Sequence, residues 1–297
     1  MKLEKPIFEG AGVALVTPFD KYGNINYPKM KELIEYQIAN GIDSIICCAT
    51  TGEGSALDIV EHVKGIAFCA EVVNGRVPVI AGTGSNDTSF AVKLSNEAEA
   101  AGADALLMVT PYYNKTSQSG LLRHYFYIAD RVSKPIILYN VPSRTGQNIK
   151  PETYATLGEH ERICAVKEAN GDLGAFAKTM ELCADKLDFY SGNDDQITPY
   201  MSLGAKGVIS VLANIVPAET HEICAAALRG DMKKSAELQI KYIELINKLF
   251  MDVNPIPVKE AMNIMGLDVG ECRMPLTCLT DADHEIMVQT LKNYNLI

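Results

Sequence analysis

The sequence predicts an α/β fold, a (β/α)8 (TIM) barrel with additional C-terminal helices. Three observations carry that expectation: eight short apolar runs, stretches of helical period in most of the gaps between them, and a glycine exit repeated at three helix ends. The runs are 13–16, 44–48, 77–80, 105–109, 135–139, 163–166, 187–190 and 208–212. Most lack polar alternation, as strands covered on both faces do. The seventh carries an acid, Asp188, and the third carries Pro78, which a strand tolerates near its start.

Between the runs, 29–39 places Met30, Leu33, Ile34 and Ile38 at helical spacing. The stretch 58–73 does the same with Val60, Val63, Ala67 and Ala70, and Asp58 is its expected N-cap, although Gly65 weakens the helix. Asn40-Gly41, Ala101-Gly102 and Leu203-Gly204 each place glycine where a helix ends in the left-handed conformation. Strands alternating with helices imply parallel pairing through right-handed crossovers, and eight such units favour a closed barrel. The expected organisation is a barrel over 1–216 and a helical extension over 217–297 packed on it, with one helix at 235–250.

Composition excludes several functions. The formal net charge is −10 over 297 residues, with no Lys/Arg run to follow a phosphate backbone; nucleic acid is not an expected partner. No apolar run is long enough for a membrane span. Met1-Lys2-Leu3-Glu4-Lys5-Pro6 lacks the apolar core of a leader. The eight cysteines form no Cys-x-x-Cys pair, which suits a reduced, cytoplasmic protein. The five histidines show no metal-ligand spacing, so no metal is expected. Gly82-Thr83-Gly84 lacks the third glycine of a dinucleotide fingerprint, and no Gly-x-Ser-x-Gly elbow occurs.

A barrel of this kind works at the C-terminal ends of its strands. Here those ends read Thr17-Pro18, Thr50-Thr51-Gly52-Glu53, Gly82-Thr83-Gly84-Ser85-Asn86, Thr110-Pro111-Tyr112-Tyr113-Asn114, Tyr139 to Arg144, Lys167-Glu168, Ser191 to Asp194 and Ala213-Asn214. The rim is rich in hydroxyls and holds two cations. Ile163, Ala165 and Lys167 are expected on one face; if it points inward, the Lys167 ammonium lies in the barrel mouth. A free lysine is neutral about once in ~2500 at pH 7, and burial with nearby cations raises that fraction and makes the amine a nucleophile toward carbonyls. The plainer alternative pairs Lys167 with Glu168 or another acid at a strand end. Tyr139, Thr50 and Tyr113 are the candidates to relay protons, and Arg144 could take a carboxylate in its fork.

Thr50-Thr51-Gly52-Glu53, Pro111-Tyr112-Tyr113-Asn114, Tyr139-Asn140-Val141-Pro142-Ser143-Arg144-Thr145-Gly146, Val166-Lys167-Glu168-Ala169, Ser191-Gly192, Gly207-Val208-Ile209-Ser210-Val211 and Asn254-Pro255-Ile256-Pro257-Val258-Lys259 together resemble the dihydrodipicolinate synthase family of pyruvate-dependent class I aldolases. The resemblance implies that Lys167 forms an imine with pyruvate, so that no external cofactor is needed. It makes Tyr139 the general acid/base and Thr50 and Tyr113 its relay, with Tyr113 reaching in from a neighbouring subunit. Thr51 and the Ile209 backbone would contact pyruvate, Gly192 would border the pocket, and Arg144 would hold the carboxylate of aspartate semialdehyde. The family makes the precursor of diaminopimelate and lysine and is usually a homotetramer built from tight dimers. Sister aldolases, such as N-acetylneuraminate lyase or 2-keto-3-deoxy sugar acid aldolases, share the Lys and Tyr logic, but the Val141-to-Gly146 loop resembles the synthases. A silent keto-acid sensor would be expected to have lost Lys167 or Tyr139.

Two departures bear on regulation. Where members inhibited by lysine carry a His and a Glu, this chain has Ile59 and Phe90, whereas His62, Asn86 and Tyr112 match. Losing the carboxylate that would pair the ligand's ammonium costs roughly 2–5 kcal/mol. Lysine is therefore expected to inhibit weakly or not at all; micromolar inhibition in a steady-state rate assay would overturn this.

Overall fold

The computed structural model describes residues 3–297. Met1 and Lys2, the first two residues of the hexapeptide Met1-Lys2-Leu3-Glu4-Lys5-Pro6, lie outside the described residues. Eight parallel strands, β1 (Gly10–Ala14), β2 (Ser44–Cys47), β3 (Val79–Gly82), β4 (Ala105–Val109), β5 (Ile136–Asn140), β6 (Ile163–Glu168), β7 (Asp188–Ser191) and β8 (Gly207–Ser210), close into a barrel in sequence order. The seam joins β1 to β8 from Gly10↔Gly207 to Val13↔Ser210. Glycine is required there: a Cβ on Gly207, at φ +155°, would sit 1.8 Å from the Gly10 carbonyl oxygen.

Some strand limits differ from the sequence reading. β1 starts at Gly10 and ends at Ala14, because its first residues are too small to stand out as an apolar run. β3 begins after Pro78, whose carbonyl accepts the Ile45 N–H at 3.0 Å; the proline serves the sheet only as an acceptor. β6 carries a register shift: Ile136 pairs Ile163, but Ile137 pairs Ala165. Cys164 is the extra residue of this irregularity. Ile163 therefore faces the outer layer, and only Ala165 and Lys167 share the inward face expected for all three.

The helices are α1 (Tyr27–Ala39), α2 (Ile59–Val73), α3 (Thr88–Ala100), α4 (Gln118–Ala129), α5 (Pro142–Thr145), α6 (Pro151–Leu157), α7 (Leu173–Cys183), α8 (Ile197–Ser202), α9 (Pro217–Leu228), α10 (Met232–Lys248), α11 (Ile256–Ile264) and α12 (Asp281–Asn293). α1 starts two residues before Lys29, since Asn26 caps it and Pro28 supplies a preset first turn. Asp58 caps α2 through a reciprocal box with Glu61. Gly65 suits its place in α2, where a Cβ would come within 3.1 Å of the Cys48 sulfur. Gly41, Gly102 and Gly204 all have positive φ, as the repeated exits require. α9 packs on β1 and β8, and α10 to α12 extend over α8 and α9 and each other.

Two apolar layers result. Ala14, Ile46, Ile80, Leu107, Ile137, Ala165 and Ile209 fill the barrel interior. Phe8, just ahead of β1, stacks on Tyr190 at 4.2 Å between ring centroids, and the Tyr190 hydroxyl donates to the Phe8 carbonyl at 2.8 Å. The larger layer lies between strands and helices.

Candidate active site

The strand pairing places Tyr139 beside Lys167 on adjacent strands, with Ile137 and Ala165 one step below them. Both side chains are buried, and the Lys167 Nζ stands 4.4 Å from the centre of the Tyr139 ring. Burial pushes the Lys167 ammonium down to about 8; the Asp194 carboxylate opposes this and the Arg144 guanidinium adds to it. At that value roughly one amine in ten is neutral at pH 7, about two hundred times the fraction for a free lysine. Burial raises the Tyr139 phenol, against the pull of Arg144 and a hydrogen bond with Thr50. Tyr139 is thus a protonated phenol whose hydroxyl already has Thr50 as a partner.

Glu168 does not pair with Lys167. It turns outward, accepting from the Tyr154 hydroxyl at 2.7 Å, Asn140 Nδ2 at 2.9 Å and the Asn170 N–H at 2.9 Å. Burial nonetheless pushes it up to about 7. Successive residues on a strand face opposite ways, so an acid next to a lysine in sequence is on the wrong side of the sheet to neutralise it.

Thr50, Tyr139 and Arg144 line a cavity of about 470 Å³, which runs on past Tyr112 to His62, Ile59 and Phe90. Thr51 is buried beside it and accepts from Asn254 Nδ2 at 3.0 Å. Arg144 is exposed, donates to the Asn254 carbonyl at 3.2 Å, and has no acidic partner among the described residues. Ile209 is buried in the barrel interior. Gly192 lies against the Lys167 stem: a Cβ there would come 3.2 Å from Lys167 Cε and 2.7 Å from Ala169 Cβ. Tyr113 is not gathered with the others. Its side chain is 92% exposed and its φ is +68°.

Several rim hydroxyls have structural work instead. Thr17 donates to the Gly52 carbonyl at 2.6 Å, Thr110 to Thr145 at 3.2 Å and Ser191 to the Asn193 carbonyl at 2.8 Å. Asn214 holds the end of β1, donating to the Ala14 carbonyl and accepting the Val16 N–H.

Two site neighbours were not singled out in the sequence. Asp194 is 2% exposed; one carboxylate oxygen accepts the Val211 and Leu212 N–H groups at 2.9 Å each, tying the end of β8 to the loop after β7. Its place after β7 was visible, but nothing in its neighbours marked it as buried. Asn254 touches both Thr51 and Arg144 from far along the chain, a contact no local pattern announces. Among the described residues no group of three His, Cys, Asp or Glu side chains could hold a metal, and no helix is long and apolar enough to cross a membrane.

Comparison with known proteins is consistent across the chain. The model of the Dihydrodipicolinate synthetase family matches residues 7–294. A 4-hydroxy-tetrahydrodipicolinate synthase of Acetivibrio thermocellus is 54% identical over 99% of this chain and 100% of its own. One from Lachnoclostridium phytofermentans is also 54% identical, over 98% and 99%. The crystal structure of a chloride-inhibited dihydrodipicolinate synthase from Acinetobacter baumannii complexed with pyruvate superposes with a TM-score of 0.95 at 42% identity, covering 97% of this chain and 99% of that one.

Proposed function

The chain belongs to the dihydrodipicolinate synthetase family, lyases that work through a Schiff base in lysine and diaminopimelate biosynthesis, and from that premise we propose how its residues carry the reaction. Its activity is that of a 4-hydroxy-tetrahydrodipicolinate synthase, not of a sugar-acid aldolase or a silent sensor. The substrates are pyruvate and aspartate semialdehyde. The observation that carries the assignment is a lysine buried in the barrel mouth, its proton affinity lowered to about 8, set 4.4 Å over a tyrosine ring.

The neutral Lys167 amine attacks the pyruvate carbonyl carbon. Tyr139, bonded to Thr50, gives a proton to the departing hydroxyl, and water leaves as the imine forms. The imine nitrogen draws electrons from the pyruvate methyl group, which loses a proton and becomes an enamine carbon, so no external cofactor is needed as electron sink. That carbon attacks the aldehyde carbon, and the aldehyde oxygen takes up a proton to become a hydroxyl. The amino group of the second substrate then adds to the imine carbon, closing the ring and expelling the Lys167 amine.

Thr51 and the Ile209 backbone contact pyruvate, and Gly192 leaves the space in which the Lys167 stem and the bound keto acid fit. Arg144, exposed at the cavity and with no acid paired to it among the described residues, takes the carboxylate of aspartate semialdehyde. The exposed Tyr113, held at a φ that costs about 1–3 kcal/mol, supports a role in a neighbouring subunit's relay and so a homotetramer of tight dimers. Eight free thiols support a reducing, cytoplasmic setting.

The test is the rate of ring-product formation from pyruvate and aspartate semialdehyde. Turnover is expected. No turnover, with pyruvate still trapped on Lys167 by borohydride, would keep the aldolase chemistry and reject this aldehyde.

A further inference from the structure

Glu53 and the Asn254–Lys259 segment have no part in the steps above, yet they meet under the barrel mouth. Lys259 and Glu53 are 1% and 2% exposed. The Lys259 Nζ donates to Glu53 Oε1 at 2.8 Å, to the Glu271 carbonyl at 2.8 Å and to the Thr17 carbonyl at 3.1 Å, which satisfies all three of its protons. The other Glu53 oxygen accepts the Arg273 N–H at 2.8 Å. Five residues ahead of Lys259, Asn254 donates to the Thr51 hydroxyl.

The turn these contacts reach is demanding. β2 ends at Cys47, so residues 50–53 have no ladder to hold them. Cys48 and Glu53 both lie at φ +53°, a conformation that must be held by its surroundings. The turn also carries Thr50, bonded to Tyr139, and Thr51. A carboxylate buried at its end needs a counter-charge, and the chain brings one from more than 200 residues away.

We propose that Asn254 and Lys259 are positioning residues that clasp the 50–53 turn, so that the segment at 254–259 sets pyruvate affinity through Thr51 and proton transfer through Thr50. The proposal rests on the reading of Thr51 as a pyruvate contact. Neither residue touches substrate. Their effect is on where the two threonines stand, and a displacement of about 1 Å at a reacting centre costs up to about 100-fold in rate.

Two variants test it, beside Thr51→Val. Asn254→Ala removes one hydrogen bond but keeps the main-chain carbonyl that Arg144 uses. It should raise the pyruvate KM about fivefold and leave the aldehyde KM within about twofold. The double substitution Glu53→Gln with Lys259→Met keeps volume without stranding a buried charge, and should lower kcat about tenfold at saturating pyruvate, with Lys259→Arg alone closer to the native rate. A lowered Tm with unchanged kcat and pyruvate KM in both variants would make the clasp purely structural and overturn the proposal. If the double variant does not fold, Asn254→Ala decides alone. A raised pyruvate KM in Thr51→Val but not in Asn254→Ala rejects the clasp and leaves the site reading intact. An unchanged KM in Thr51→Val rejects that reading and the clasp with it.

Discussion

Replacing Lys167 with alanine should abolish ring formation, by at least about 10³-fold, and should remove the borohydride-trapped pyruvate adduct altogether. The two readouts separate nucleophile from bystander. A structural lysine would lower the amount of folded protein but leave an adduct on whichever amine does the chemistry. Recovery of the adduct on Lys206 or Lys259 would sink the assignment. Lys259 is the informative comparison, because it is as buried as Lys167 but is bonded to Glu53. At Lys167 burial favours the neutral amine and outweighs the opposing Asp194 carboxylate. The same physics gives a pH dependence. The attacking form is the free amine, so the rate of pyruvate trapping should rise with pH and level off above about 8. An ordinary lysine would keep rising toward 10.5. A trapping rate still climbing steeply at pH 9.5 would mean that burial does not depress this amine.

Tyr139→Phe should lower kcat by about 10²- to 10⁴-fold while the protein remains folded and still binds pyruvate. The ring is part of the barrel interior, so phenylalanine keeps the packing and deletes only the hydroxyl that bonds to Thr50. The adduct should still form, slowly, because Lys167 retains its environment. A rate within threefold of the native enzyme would show that protons leave by another route. Loss of Thr50 as Thr50→Val should act in the same direction and less than additively with Tyr139→Phe, since the two hydroxyls form one hydrogen-bonded unit.

The eight-strand barrel and its helix exits were legible from one sequence because both depend on short-range rules. A strand buried on both faces must be apolar throughout, and a helix that turns back into the sheet needs a residue tolerant of positive φ. Lys167 was legible for the same reason: a single cation closing an apolar run stands out. Tyr139 and Lys167 could each be placed on a strand end. Their contact could not, because it depends on the register between β5 and β6, which an irregularity at Cys164 resets. That shift moved Ile163 to the outer layer without disturbing Ala165 and Lys167, since they lie beyond it. The roles of the rim hydroxyls also had to await the fold: Thr17, Thr110 and Ser191 read like Thr50 in sequence but spend their hydroxyls on neighbouring loops.

The sequence by itself determined the barrel and the strand ends that carry its candidate residues, because periodicity and residue type are written locally. Only the tertiary structure decided which side chains share the mouth. Glu168 turns away from Lys167, Asp194 is buried close enough to oppose its loss of charge, and Asn254 and Lys259 arrive from the start of α11, more than 200 residues from the turn they hold. The physical reason is that charge and hydrogen bonding act through space over a few ångströms, whereas the chain brings those atoms together from opposite ends of its length.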